Sequence, residues 1–300
     1  MTPLQTRLER SLVWRVWERM LEIEFIDRSV ALAGKAFVSF FPLVIVVAAF
    51  LPESMRESVI STVTTRLGLR GDALTITRHA FVSSDDVRQA TGVLGLVLTI
   101  LFASSFTTAL QRVYFHAWRR PRRGGVGAYW RGALCLLAVL GCMAALGWAG
   151  GAFDGALGIG LLAIVALAAT SGLWWFSAWF LLLGDVRARV LVPTGVFSGV
   201  ATAAYAASAT IWMPGTVTSN EAQFGVFGIA LALITWFSGA ATCVVVAASA
   251  GAVLAEDPGR IGTFIRGGQS QTLTRGARPP VAPPPRQLSV RDAFGSTDDT

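Results

Sequence analysis

Two histidines and three cysteines make up most of this chain's stock of metal-ligating and nucleophilic side chains, and their spacing assembles nothing. His79 falls in a polar connecting segment and His116 at the edge of an apolar run, so the two are expected near opposite ends of the molecule. Cys135, Cys142 and Cys243 all lie inside apolar runs with no C-x-x-C pair. Cys135 and Cys142 are seven residues apart and share a helix face, which suits small buried hydrophobes better than a zinc site or a disulfide framework. Asp85-Asp86 is a lone acidic pair, suited to a helix start or a solvated surface. The zinc-protease, serine-hydrolase and P-loop signatures are absent from the sequence. No catalytic, cofactor-binding or metal-ligating set is therefore predicted, and the expectation is that the protein is not an enzyme.

The remaining reactive-looking feature is a basic knot, HAWRRPRRGG at 116–125, with Arg119, Arg120, Arg122 and Arg123 in five positions. Alone it reads as a nucleic-acid handle. Its surroundings argue otherwise: 53% of the 300 residues are hydrophobic and only 14% are charged, against about a quarter charged in soluble domains. A mean hydropathy of +0.58 points the same way.

The elements that must position these residues are apolar. Charge is absent from Gln89 to Gln111, Gly132 to Phe153, Gly155 to Gly184, Val190 to Asn220 and Ala222 to Ala255, and Lys35 alone interrupts Ser29 to Pro52. Since about 20 apolar residues cross a bilayer, six spans are predicted, near 31–51, 91–113, 132–152, 157–182, 191–212 and 224–253. The fold class expected is all-α, a polytopic six-helix transmembrane domain over 29–256. Residues 1–28 alternate bulk and charge as an amphipathic helix lying along the membrane. Residues 53–90, with a Gly68/Gly71 break, read as an extracytoplasmic helical insert. The Pro-rich stretch 257–300 reads as a disordered tail.

Arginine placement sets the orientation. Segment 1–28, the 116–130 loop, the 184–190 turn and the tail carry most of the 25 basic residues. Loops 153–156 and 213–223 carry none, and 53–90 balances five Arg with five acids. Both termini are thus expected to be cytoplasmic. In this frame Arg119, Arg120, Arg122 and Arg123 are topology determinants that meet anionic headgroups, and membrane lipids, not nucleic acid, are the expected partners.

Polar residues inside spans are costly and frequently functional. Lys35 sits a turn into the first span and can snorkel to the headgroups. Pro42 removes one helix hydrogen bond within that span. In the second span Ser104, Thr108, Gln111 and Arg112 form a polar patch suited to helix packing or to a substrate path. Glu221 and Gly225 stand at the start of the last span. Small residues at Gly147, Gly151 and Gly155, and at Gly195, Gly199 and Ala203, predict close helix approach.

Four stretches carry a family resemblance. DRSVALAGKAFVSFFPLVIVVAAFLP (27–52), with its Ser39-Phe40-Phe41-Pro42-Leu43 step, resembles the first membrane segment of the YihY/BrkB family. TTALQRVYFHAWRRP (107–121) is similar to the basic turn that closes the family's second long span. VPTGVFSGVATAAYAASATIWMP (192–214) and the segment 224–256 that ends in Glu256 resemble its last two spans, with Phe224 before Gly225 where some members have Tyr. The resemblance covers roughly 10–256. It implies a six-span bacterial inner-membrane protein but no settled activity; some members are linked to serum resistance or to tolerance of altered envelope lipids. Members have also carried the label ribonuclease BN, which finds no acid/base or metal-ligand set here. The function expected is transport or translocation of an amphipathic or lipid-like substrate. The alternative is a membrane scaffold that docks an envelope protein partner or a second copy through 53–90 and the tail. A tRNA-processing ribonuclease is the remote third.

Overall fold

The computed structural model describes residues 11–50, 85–121, 127–150 and 155–267, and these are almost entirely helical, with no strand. The order is α1 (Leu12–Glu22), α2 (Phe25–Phe50), α3 (Asp85–Ala117), α4 (Gly127–Gly150), α5 (Gly155–Leu181), a single 3₁₀ turn (Ala188–Leu191), α6 (Val192–Phe224), α7 (Val226–Glu256) and the short α8 (Arg260–Ile265). Three stretches, Gly160–Leu181, Ala188–Phe224 and Phe227–Glu256, are long and apolar enough to cross a membrane. Of the insert predicted at 53–90, residues 53–84 lie outside the described residues and 85–90 are the start of α3; of the tail predicted as disordered at 257–300, the part beyond 267 lies outside them and 260–265 form α8; Arg122, Arg123 and Gly151 of the first small-residue series also lie outside.

Local chemistry explains the element ends. Ser11 caps α1 by accepting the Trp14 amide at 3.1 Å. α6 opens with Pro at its first turn, where a missing N–H costs nothing. Composition suggests a connector at 213–223, yet α6 runs through Pro214 to Phe224. A proline removes only one ladder bond, and Thr216 and Thr218 hydroxyls bond back to the carbonyls of Trp212 and Pro214 at 3.1 and 2.9 Å. The helix stops only at Gly225, whose φ of +59° reverses the chain while its amide caps the Glu221 carbonyl at 2.8 Å. The final charge-free stretch is one helix of 31 residues, ~46 Å long at about 1.5 Å per residue.

Small residues set the helix spacing. A Cβ added at Gly199 would lie 2.6 Å from Ser171 Cα, and one at Gly195 2.8 Å from Trp175 Cα, so α5 and α6 meet backbone to backbone. Gly251 seats against Thr194 in the same way, and Gly228 against the Asn220 carbonyl, which locks α6 to α7. The outer faces stay apolar: Ile164 of α5 is 67% exposed and Ile211 of α6 is 84% exposed. Only 11% of the apolar window of α5 is buried. A helix apolar on every side and so little buried suits lipid contact rather than a water-facing surface.

Candidate functional site

The polar patch of α3 splits into two roles. Ser104 and Thr108 hydroxyls bond within their own helix, to Leu101 O and Ser104 O, both at 2.7 Å. Ser104 also forms the floor on which Gly132 of α4 rests, where an added Cβ would stand 2.8 Å from its Cα. Gln111 is buried and its Nε2 donates to Leu181 O at 3.0 Å. That carbonyl belongs to the last turn of α5, where the helix itself supplies no partner, so Gln111 joins α3 to α5. Arg112, half-buried, keeps its Nε buried without a hydrogen-bond partner.

Beside this patch, α2, α3, α4, α5 and α7 line a half-open cavity of about 240 Å³. Ser39 and Phe40 line it from α2, within the turn that precedes the buried Pro42. The Ser39 hydroxyl lies 2.6 Å from Lys35 O and 2.9 Å from Phe102 O, so its one proton ties α2 either to itself or to α3. Half-buried Lys35 thus supports the cavity wall through its backbone. Thr99, Ala103 and Thr107 of α3 face Trp174 and Ser177 of α5 and Phe237 of α7 across the space. Trp174 Nε1 is held by Thr202 at 3.1 Å, which fixes the indole as a wall. Phe40 and Phe237 meet edge to face at 5.6 Å. Among the described residues, no Asp, Glu, Lys, Arg or His lines the cavity.

One end of the bundle is a second, wholly different centre. Arg19 of α1 is only 4% exposed. Its guanidinium bonds Glu256 at the end of α7 at 2.5 Å and Ala117 O at the end of α3 at 2.5 Å. A cation at a helix C-terminus meets both orphan carbonyls and the negative end of the dipole. Beside it Arg15 pairs with Asp257 at 2.7 Å. Asp257 caps Gly259 N–H at 3.0 Å. Arg266 bonds the carbonyls of Ala255 and Asp257 at 2.6 and 2.9 Å. Arg119, with a φ of +48°, grips Glu22 with two parallel bonds of 3.0 and 2.5 Å. That pairing holds the Glu22 carboxyl below its ordinary range, chiefly through the hydrogen bond from Arg119, with burial opposing and the Arg119 and Arg19 charges adding to it. Arg120 is half-buried, and burial lowers its pKa against the raising influence of Asp185 and Glu256.

Of the residues singled out by sequence, Lys35, Pro42 and Ser104 are each next in sequence to a residue that lines the cavity but do not line it themselves. Thr108 and Gln111 lie on the same helix toward its C-terminal end. Glu221 and Gly225 form the α6–α7 corner. Arg119 and Arg120 belong to the charged end. Thr99, Ser177 and Cys135 on the cavity wall, and the Arg19–Glu256 pair, carry no signal in spacing alone. The available hint for the pair was an arginine and an acid both expected on the same membrane side. The three cysteines are free thiols, and among the described residues no cluster of three or more His, Cys, Asp or Glu is placed to hold a metal. No family model, curated protein or solved structure matches the chain.

Proposed function

We propose that this is a six-span bacterial cytoplasmic-membrane protein of the YihY/BrkB type, with both termini cytoplasmic, that transports or translocates an amphipathic, lipid-like substrate in envelope homeostasis. The observation that carries the reading is the cavity. It is walled by five helices and lined by aliphatic and aromatic side chains with a few hydroxyls, and none of its described lining residues is ionised. At about 240 Å³ it exceeds the ~150 Å³ that admits a benzene ring and falls short of the ~300–1,000 Å³ of drug-sized pockets. It therefore fits part of an aliphatic chain, while a large headgroup stays outside. The lipid-facing apolar shell supports the membrane setting, and the arginine-rich end supports the orientation. Among the described residues no metal-ligand cluster supports an enzymatic role.

Two experiments test this reading. Reporter fusions at Gly125 and Thr218 are expected to report opposite compartments, and identical readings contradict the six-span arrangement. Purified protein in liposomes is expected to redistribute at least one class of the host's lipids, with or without a proton gradient. A full panel that never moves rejects the transport reading.

A further inference from the structure

Helical Thr and Ser residues buried in apolar surroundings satisfy their hydroxyls by bonding back to a carbonyl three or four residues earlier. This chain does so repeatedly: Thr107 to Ala103 O, Thr202 to Ser198 O and Thr242 to Ser238 O, at 2.8, 2.6 and 2.8 Å. Thr99 departs from the pattern. It is 2% exposed, its Oγ1 is buried without any partner, and it lines the cavity. Leaving such a group unpaired is destabilising, because its water is lost and not replaced. Thr194 and Ser198 hydroxyls are also buried and unpartnered, but Thr194 is pressed against Gly251, where an added Cβ would come within 2.3 Å of its Oγ1. No ligand atom fits there. At Thr99 an unpaired hydroxyl and unfilled volume coincide.

We propose that the cavity takes a single aliphatic chain bearing a neutral hydrogen-bonding group, a hydroxyl or an ester carbonyl, with Thr99 as its polar partner. This deepens the lipid-like reading above and rests on it. The neutral character follows from the lining. An ionised carboxylate or phosphate would be stripped of water with no opposite charge within the cavity, and the desolvation penalty would go unrepaid. A hydroxyl or ester oxygen needs only one partner, and Thr99 serves as donor or acceptor. A ligand with an ionised headgroup enters tail first, with that headgroup left outside.

The test uses the full chain in vesicles of phosphatidylethanolamine and phosphatidylglycerol with three diazirine-bearing dodecyl probes: an alcohol, the matched hydrocarbon and the matched carboxylate. Crosslinks are mapped by mass spectrometry. The alcohol is expected to label Ala103, Leu110 and Cys135 about three- to tenfold more than the hydrocarbon, the range one net hydrogen bond supplies. The carboxylate is expected at or below the hydrocarbon. Thr99→Val should equalise alcohol and hydrocarbon, and Thr99→Ser should restore the difference. Equal labelling by alcohol and hydrocarbon in the wild type overturns the role of Thr99 and leaves the cavity reading standing. Preferential labelling by the carboxylate overturns the neutral ligand class. Labelling of the cavity no stronger than at lipid-facing Ile164 and Ile211 rejects the cavity reading itself.

Discussion

The cavity and the charged end sit in one bundle and solve opposite problems. Around the cavity, hydroxyls bond mostly to their own helices, and the wall residues hold one another by packing. At the charged end two cations reach far along the chain: Arg19 to residues 98 and 237 positions away, Arg15 to one 242 away. The first region has volume to spare and no charge. The second has charge throughout and a guanidinium that is almost completely buried. Ion pairs and arginine–carbonyl hydrogen bonds tie α1, the ends of α3 and α7, and the start of the segment that carries α8 together, so movement that admits a chain to the cavity must come from elsewhere or must break those contacts. The distinction between a fixed end and a fillable middle is what mutations can test.

The largest effect is expected at the fixed end. Glu256→Ala leaves the buried Arg19 guanidinium with the Ala117 carbonyl and a longer contact of 3.6 Å to Glu22, and should cost up to about 3 kcal/mol, the scale for breaking a buried pair. Arg19→Met together with Glu256→Gln should recover part of that loss. Thermal unfolding in detergent reads both, and equal stability of wild type and Glu256→Ala shows that the pair holds nothing. Next comes the floor of the cavity. Gly132→Ala forces α4 away from Ser104 and should cost about 1–3 kcal/mol, as overpacking does. Ala103→Leu points the other way: Ala103 borders empty volume, so the added methylenes should change stability by less than about 1 kcal/mol. A loss as large as that of Gly132→Ala implies that the space is not there.

The smallest effect concerns pH. The native Glu22 carboxyl lies below its unfolded value, so its pairing with Arg119 stabilises above the ordinary carboxylate range. That contribution disappears as pH falls through the lowered native value. Glu22 is half-exposed, which limits the effect to about 1 kcal/mol or less. Protease sensitivity of α1 should rise between pH 5 and pH 3, on the order of the carboxylate range, and Glu22→Gln should remove most of that pH dependence.

The two regions also differ in how far they can be read from sequence. Helical class and the long apolar segments follow from charge-free stretches, because length and hydropathy are local properties. The polar patch at Ser104, Thr108 and Gln111 is visible for the same reason. Its division of labour is not: whether a hydroxyl bonds its own helix or a neighbour depends on which helix lies opposite. Thr99 looks no different from Thr107 in a sequence, and only the packing of five helices leaves one without a partner. Arg19 sits among Trp17, Glu18 and Met20 in a pattern that reads as a polar face. Its burial comes from Ala117 and Glu256, which spacing does not bring near it. The continuation of α6 past Pro214 is a further case, since one lost ladder bond does not outweigh the neighbouring turns.

The most direct test of the account pairs wild type with Ala103→Leu in the same liposomes and follows redistribution of the lipid class that the wild type moves. The cavity-filling variant, with unfolding temperature and charged end intact, is expected to lose at least about tenfold in rate, which corresponds to ~1.4 kcal/mol. Equal rates for the two proteins would contradict the cavity as the substrate's route.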